Sequence, residues 1–322
     1  MTTIAVVEGD GIGHEVIPIA RNVLEALHPE FEFFPVDVGY GMWERTGCPC
    51  ADKEINALKT ADAILFGAIT TPPMNDYQSV VLRIRKALDL YANLRPVKAE
   101  GFDILIVREN TEGLYSGIEE SGPDRATTLR VVTRKGTERI VRSAIRLTQR
   151  RSGRLTIGHK ANVLKSDVLF RDICLHEARV AGVTFNDKYI DALALDLLQH
   201  PALYDVVVTT NIFGDILSDV ASYLVGGLGL TPSANIGDRY ALFEPVHGSA
   251  PDIAGRNIAN PIAAIRSAAM LLDYLGDRDG ASGVEIAIGT VISQGILTPD
   301  LGGSAGTREF GKAVIRSLIK NR

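Results

Sequence analysis

The sequence predicts an α/β protein built on a largely parallel sheet. Short apolar runs alternate with helix-period segments from end to end. The runs are rich in β-branched residues and are bounded by turn residues. The intervening segments carry apolar residues three and four apart, as a helix covering a sheet requires.

The strand candidates are Ile4–Val7, Ala63–Phe66, Ile104–Val107, Leu155–Gly158 and Val206–Thr209. Amphipathic helices are predicted over Glu15–Leu27, Gly136–Arg150 and Asp167–Val180. Residues 116–135 break the pattern: alternating, polar and punctuated by Gly and Pro, they read as a projecting hairpin arm. From Leu224 to Gly237 the chain is glycine-rich, as at an interdomain crossing, and beyond Asn260 it turns helical again. There is no internal repeat and no low-complexity segment.

The 322 residues, 46% hydrophobic and 23% charged, suffice for one large or two ordinary domains with buried cores. No apolar run reaches the roughly 18 residues that a membrane span needs. The N-terminus reads as the first strand, without the basic start and long apolar core of a signal peptide. Cys48, Cys50 and Cys174 show no metal-type spacing and suit a reducing cytosol, so a cytoplasmic protein with structural thiols is expected. The net charge of −5, with no Lys/Arg block, argues against nucleic acid as a partner. Arg83, Arg85, Arg95 and Arg108 nevertheless crowd one stretch of this acidic chain, as a solvated face or as a device for an anionic substrate.

Glu8-Gly9-Asp10-Gly11-Ile12-Gly13 follows a strand and opens a helix. Its spacing is GxGxG rather than GxGxxG, and no acidic residue closes a second strand at the expected distance. A plain strand-to-helix turn and a dinucleotide loop both fit these residues. In Asn211-Ile212-Phe213-Gly214-Asp215-Ile216-Leu217-Ser218-Asp219, the carboxylates of Asp215 and Asp219 share one helix face. Like charges at that spacing repel, and a divalent cation between them would remove the penalty. A solvated acidic face fits the pair as well.

Five segments occurring in order resemble those of the isocitrate/isopropylmalate/homoisocitrate dehydrogenase family: Glu8–Gly13, Arg108-Glu109-Asn110-Thr111-Glu112-Gly113-Leu114-Tyr115, His159-Lys160-Ala161-Asn162-Val163, Asn211–Asp219 and Glu244-Pro245-Val246-His247-Gly248-Ser249-Ala250-Pro251-Asp252-Ile253-Ala254-Gly255. The resemblance covers essentially the whole chain, closest to the archaeal-type homoisocitrate and isopropylmalate enzymes. It implies that family's own two-domain α/β fold, which is not a Rossmann fold. Residues 1–92 and 226–322 would form the large, cofactor-side domain. Residues 93–225 would form the small domain, with the arm and the metal and catalytic residues, and the active site would lie in the cleft.

By resemblance, Asp215 and Asp219 are metal ligands, and Asp191 is the third carboxylate, supplied to the neighbouring subunit. The metal implied is Mg²⁺ or Mn²⁺. Arg85, Arg95 and Arg108 match the guanidinium groups that grip the malate carboxylates, with planar forks that suit bidentate binding. Lys160 and Tyr115 match the catalytic base and acid. The 2-hydroxyl must lose its proton as hydride leaves C2, so a base is needed within hydrogen-bond reach.

The cofactor positions implied are Ile12, Thr70, Asn162, Glu244, His247, Gly248, Ser249, Ala250, Asp252, Ile253 and Asn260. Asp252 can accept from the ribose hydroxyls but would repel a 2′-phosphate, so the cofactor expected is NAD. Asp252 also reads as a helix N-cap.

Substrate choice in this family depends on the segment before Arg85. On a helix, Gln78, Val81, Leu82 and Arg85 form one stripe. Val81 and Leu82 resemble the apolar pair of isopropylmalate enzymes, whereas Tyr77 and Ser79 resemble homoisocitrate enzymes. Ser79 also matches the serine that isocitrate enzymes use, but Val81 replaces their asparagine.

The order expected is therefore homoisocitrate, then 3-isopropylmalate, then isocitrate: a di- or tricarboxylate oxidised and decarboxylated to a 2-oxo acid. Two rivals are a non-catalytic regulatory subunit and a metal-free Rossmann hydroxy-acid dehydrogenase. A shared Asp191 implies a homodimer or a dimer-based tetramer.

Overall fold

The computed structural model describes residues 1–74 and 77–320. Asn75 and Asp76, in the segment expected to set substrate choice, lie outside the described residues. The chain begins with β1 (Thr3–Val7), α1 (Gly13–Leu27), β2 (Glu32–Pro35), α2 (Tyr40–Thr46), α3 (Asp52–Leu58), β3 (Ala63–Phe66) and α4 (Val80–Ala87). It continues through β4 (Ala92–Ala99), β5 (Phe102–Glu109), β6 (Glu119–Ser121), β7 (Ala126–Thr128), α5 (Arg134–Gln149), β8 (Arg154–His159) and α6 (Lys165–Ala181). Next come β9 (Thr184–Tyr189), α7 (Ile190–Gln199), β10 (Val206–Thr209) and α8 (Asn211–Ser222). The last elements are β11 (Pro232–Ile236), β12 (Ala241–Pro245), α9 (Ile262–Tyr274), α10 (Arg278–Ser293) and α11 (Thr307–Lys320).

The chain forms two compact units, Met1–Leu88 with Leu228–Ala234 and Arg239–Arg322, and Asp89–Gly227 with Asn235–Asp238. The division after Leu88 falls a few residues before the expected boundary at 92, and 235–238 join the middle unit.

In the first unit β2, β1, β3 and β12 run parallel in that order. Ile4, Ala5, Val7, Leu65 and Phe66 are buried, as strands covered on both faces must be. Helix α1 buries Val16, Ile17, Ala20, Val23, Leu24 and Leu27 along one stripe, and packs on α9 and α11.

In the second unit β5, β10, β8 and β9 are parallel and β4 runs antiparallel to β5. Alternation sends Val107, Val206 and Val208 to one face, against Ile140, Ala144 and Phe170 of α5 and α6. Ile104, Ile106 and Val207 pack the other face with Leu193, Leu197, Leu217 and Ala221 of α7 and α8. Cys174 lies in the first of these cores, where burial pushes its thiol well up, and all three cysteines are free.

The register positions the site. Thr209 stands beside Arg108 on one side and Gly158 on the other, and His159 beside Tyr189. The carboxyl ends of β5, β10, β8 and β9 are therefore level, which is where open α/β sheets carry their ligands.

Three expectations need correction. The arm expected over 116–135 ends before Arg134, because Thr133 Oγ1 accepts from Gly136 N at 3.0 Å and starts α5 there; within it β6 and β7 pair over 119–128. Gln78 is not on the α4 stripe: Ser79 precedes the helix and its Oγ accepts from Leu82 N at 3.4 Å. Asp252 caps no helix, since residues 251–255 form consecutive turns. The helix-start pattern there is consumed by turns ending at Gly255, which has a positive φ of 78°.

Candidate active site

Helix α8 begins directly after β10, with Asp215 and Asp219 one turn apart. Gly214 explains how the helix sits so low on the sheet. A Cβ there would lie 2.7 Å from Cβ and Cγ of Arg108, so only glycine lets that arginine pass beneath α8.

Arg108, 1% exposed, reaches Asp215 Oδ1 with Nη1 at 2.5 Å and donates from Nη2 to Asn211 Oδ1 at 2.8 Å. Arg95 bridges the two carboxylates, with Nη2 3.2 Å from Asp215 Oδ1 and Nη1 3.0 Å from Asp219 Oδ1. Tyr115, on a short turn after Gly113, donates its hydroxyl to Asp215 Oδ2 at 2.8 Å. Its ring lies under the Arg108 guanidinium at 5.3 Å. Burial, reinforced by the hydrogen bond to Asp215, pushes the Tyr115 phenol up and keeps it protonated. Burial also raises Asp219, and the nearby Asp215 charge adds to it, against the pull of Arg95.

Tyr115, Asp215, Asp219, Arg95 and Arg108 are thus brought together within one unit. Lys160 and Asp191 form a separate pair, Nζ to Oδ1 at 2.7 Å, which holds the Asp191 carboxyl below its usual range. Among the described residues no three acidic, histidine or cysteine groups converge as a metal cage. Asp191 therefore does not join Asp215 and Asp219 within the chain. The two helical aspartates supply only hard oxygen donors, the chemistry Mg²⁺ and Mn²⁺ prefer, so they fit such an ion in part.

Several supporting residues escaped the sequence reading. Asn93 Oδ1 accepts from Arg95 Nε at 2.8 Å, and Ser218 Oγ from Arg95 Nη1 at 2.7 Å. Asn235 Oδ1 accepts from both Asn93 and Asn110, each at 2.9 Å. Spacing carried part of this signal: Asn93 lies two before Arg95 on a strand, and Asn211 four before Asp215 on a helix. Asn235 is distant in sequence and left none. Glu109 also has a structural task, accepting from Thr111 N at 2.8 Å and Glu112 N at 2.9 Å to fold the loop before Tyr115. Burial raises its carboxyl despite those bonds.

In the first unit the glycine loop, Thr70 and the 247–250 segment are knitted together. Ile12 N donates to Ser249 O at 2.8 Å, and Thr70 Oγ1 to Ser249 Oγ at 2.7 Å. Asp10 accepts from the backbone of Tyr40, Gly41 and Thr70. His247 Nδ1 donates to Gly248 O at 3.0 Å, leaving a buried Nε2 without a partner, and burial lowers the ring's pKa. A neutral imidazole of that tautomer offers one acceptor, which suits an exocyclic amino group such as adenine's. Gly248 and Asp252 are exposed and Ala250 and Ile253 half-buried, with Ala250 at a positive φ of 39°. This loop fits a nucleotide.

Other expected residues have different surroundings. Asn260 is engaged on both sides, donating to Asp300 Oδ2 at 2.9 Å and accepting from Ile262 N at 3.0 Å, so its amide anchors α9. Arg85 Nη2 pairs with Glu244 Oε1 at 3.0 Å, joining an expected substrate residue to an expected cofactor residue. Val81 and Leu82 are half-buried, and Asn162 is exposed on the turn after Lys160.

Comparison with known proteins places the chain in a family. The chain is 48% identical over 327 residues to an isocitrate/homoisocitrate dehydrogenase of Thermus thermophilus, covering 98% of each. It is 47% identical to a 3-isopropylmalate/3-methylmalate dehydrogenase of Methanocaldococcus jannaschii, covering 99% of each. Its fold superposes on the crystal structure of an isocitrate dehydrogenase from Methylococcus capsulatus with a TM-score of 0.94, at 41% identity and 99% coverage of both chains. The isocitrate/isopropylmalate dehydrogenase family model matches residues 3–314, and the chain belongs to that dehydrogenase family.

Proposed function

We propose that this chain is an NAD-dependent, divalent-metal-assisted dehydrogenase that oxidatively decarboxylates a 3-substituted malate, of the homoisocitrate type. The observation that carries the reading is the Tyr115–Asp215–Arg108 chain of contacts, which sets a protonated phenol and a guanidinium on one carboxylate. Asp215 and Asp219 would hold the metal, with Asp191 supplied across a homodimer or a dimer-based tetramer. Exposed apolar side chains on α7 and α8, Leu195 and Ile216, with Ile118 and Leu129 of the arm, support such an assembly. The His247–Ile253 loop with Ile12 and Thr70 would hold the adenosine end of NAD.

When bound, the cation would supply Lewis-acid chemistry and NAD would supply a hydride acceptor. Arg85, Arg95 and Arg108 would grip the carboxylates. Lys160 would take the proton of the 2-hydroxyl, and Tyr115 would deliver one to C3 after CO₂ departs.

The preference for homoisocitrate rests on Tyr77 and Ser79 and on the name of the Thermus relative. Val81 and Leu82, with the Methanocaldococcus relative's name, favour 3-isopropylmalate as the second reading. NAD⁺ reduction is to be compared on homoisocitrate, 3-isopropylmalate, isocitrate, 3-methylmalate and tartrate, each with and without EDTA. A kcat/KM gap of roughly a hundredfold, about 2.7 kcal/mol, decides the branch. Activity that survives full chelation rejects the metal-assisted mechanism and favours a metal-free dehydrogenase.

A further inference from the structure

Arg130 lies outside every motif discussed above, just past β7. Its Nη2 stands 2.6 Å from Oδ1 of Asp167, whose side chain is fully buried in the first turn of α6. The other oxygen of that carboxylate accepts the backbone N–H of Lys160 at 2.6 Å. The same guanidinium donates to Thr210 Oγ1 at 2.9 Å and to Ser166 Oγ at 3.2 Å. It also lies over the Phe213 ring at 4.9 Å. Thr210 immediately precedes α8, and Phe213 lies two residues before Asp215. Next to Arg130, Val131 pairs with Gly113 by two backbone hydrogen bonds of 2.7 and 3.2 Å, at the start of the turn that holds Tyr115.

We infer that the Arg130–Asp167 pair is a positioning device that sets the Lys160 loop, the start of α8 and the Tyr115 turn against one another. The inference rests on the roles proposed above for Lys160, Tyr115, Asp215 and Asp219. The sheet register already ties the ends of β5, β10 and β8 together, and Arg130 with Asp167 extends that tie beyond the strand ends into the Lys160 loop and the start of α8. One guanidinium donates to Thr210 and Ser166 while its charge faces the Asp167 carboxylate, a combination that an ammonium does not reproduce. A displacement of about 1 Å at a catalytic group is enough to cost roughly a hundredfold in rate. A buried charge pair also fails badly when one partner is removed and less badly when both are.

The test uses the full chain with Arg130→Met, Arg130→Lys, Asp167→Asn and the double variant Arg130→Met/Asp167→Asn. Arg130→Met and Arg130→Lys are expected to lower kcat roughly 10- to 100-fold while leaving KM for NAD⁺ within about twofold. Asp167→Asn still accepts from Lys160 N and should lose less. The double variant should recover part of the loss seen in Arg130→Met. The affinity for Mn²⁺, titrated without substrate, should fall in both Arg130 variants. Hydrogen exchange of the 160–164 and 210–219 amides should quicken together in each.

Full kcat and Mn²⁺ affinity in the variants, with only a lowered melting temperature, would overturn the inference. So would quickened exchange in one segment alone. A wild-type protein inactive on every malate would instead sink the proposed function, while the exchange data still judge the coupling. Arg130→Lys and Asp167→Asn, which keep a cation or the buried acceptor, carry the test if Arg130→Met does not fold.

Discussion

Nη1 of Arg95 stands 3.0 Å from Oδ1 of Asp219, and the same guanidinium touches Asp215. One side chain thus neutralises two carboxylates that would otherwise repel across a helix turn. A divalent cation bound there should raise the melting temperature of the wild type, by linkage worth about 2.7 kcal/mol at a hundred times Kd. Arg95→Met should lower the metal-free melting temperature and enlarge the Mn²⁺-induced rise. Asp219→Asn should abolish that rise. A thermal scan with and without Mn²⁺ checks all three, and an unchanged rise in Asp219→Asn would remove the aspartate from the site.

Ser79 has a structural task in addition to any contact with substrate, because it precedes α4 and accepts from Leu82 N at 3.4 Å. That distance is long, so Ser79→Ala should cost only about 0.5 kcal/mol of stability, the low end for a cap. If the hydroxyl also reads a third carboxylate, KM should rise for homoisocitrate and isocitrate but not for 3-isopropylmalate. Equal KM changes across the three would leave Ser79 as a cap alone.

Gly11 adopts a positive φ of 56°, and a Cβ there would lie 2.0 Å from the Ser249 carbonyl oxygen. Gly11→Ala must break the Ile12–Ser249 hydrogen bond or shift the loop, at a cost of about 1–3 kcal/mol. KM for NAD⁺ should rise more than KM for the malate. Urea unfolding and steady-state kinetics together read both effects.

Asp252 is exposed, so its replacement should be tolerated by the fold. Asp252→Lys with Ile253→Tyr should move the NADP⁺/NAD⁺ ratio of kcat/KM by more than about tenfold toward NADP⁺. An unmoved ratio would mean that the ribose is read elsewhere.

His28 links the end of α1 to the start of α10. Its Nε2 lies 2.7 Å from Asp277, which caps α10, and its Nδ1 lies 2.8 Å from Glu30. Burial disfavours the charged ring, but the hydrogen bonds to Asp277 and Glu30 outweigh it and leave the pKa raised above 6.5. The folded state therefore binds the proton more tightly than the unfolded state. This contribution is complete below pH 6.5 and is lost as pH rises through the higher folded value. The urea midpoint should decline from pH 6 toward 8, a slope that His28→Gln flattens; an equal slope in both proteins would exclude His28.

Periodicity and motif order in the chain determined the alternating α/β build, the positions of β1, β3 and β10, the family and the aspartate pair on α8. Those are local properties, since strand, helix and turn patterns depend on neighbours a few residues away. Only the tertiary structure decided what each side chain touches. It joined Arg130 to Asp167, Arg95 to Ser218, and Arg85 to Glu244, and it committed Asn260 to Asp300. These partners come from segments far apart in the sequence, aligned by sheet register and by the packing of α8 over Arg108 at Gly214. Charge pairing across such distances depends on where the backbone brings the groups, which no local pattern encodes.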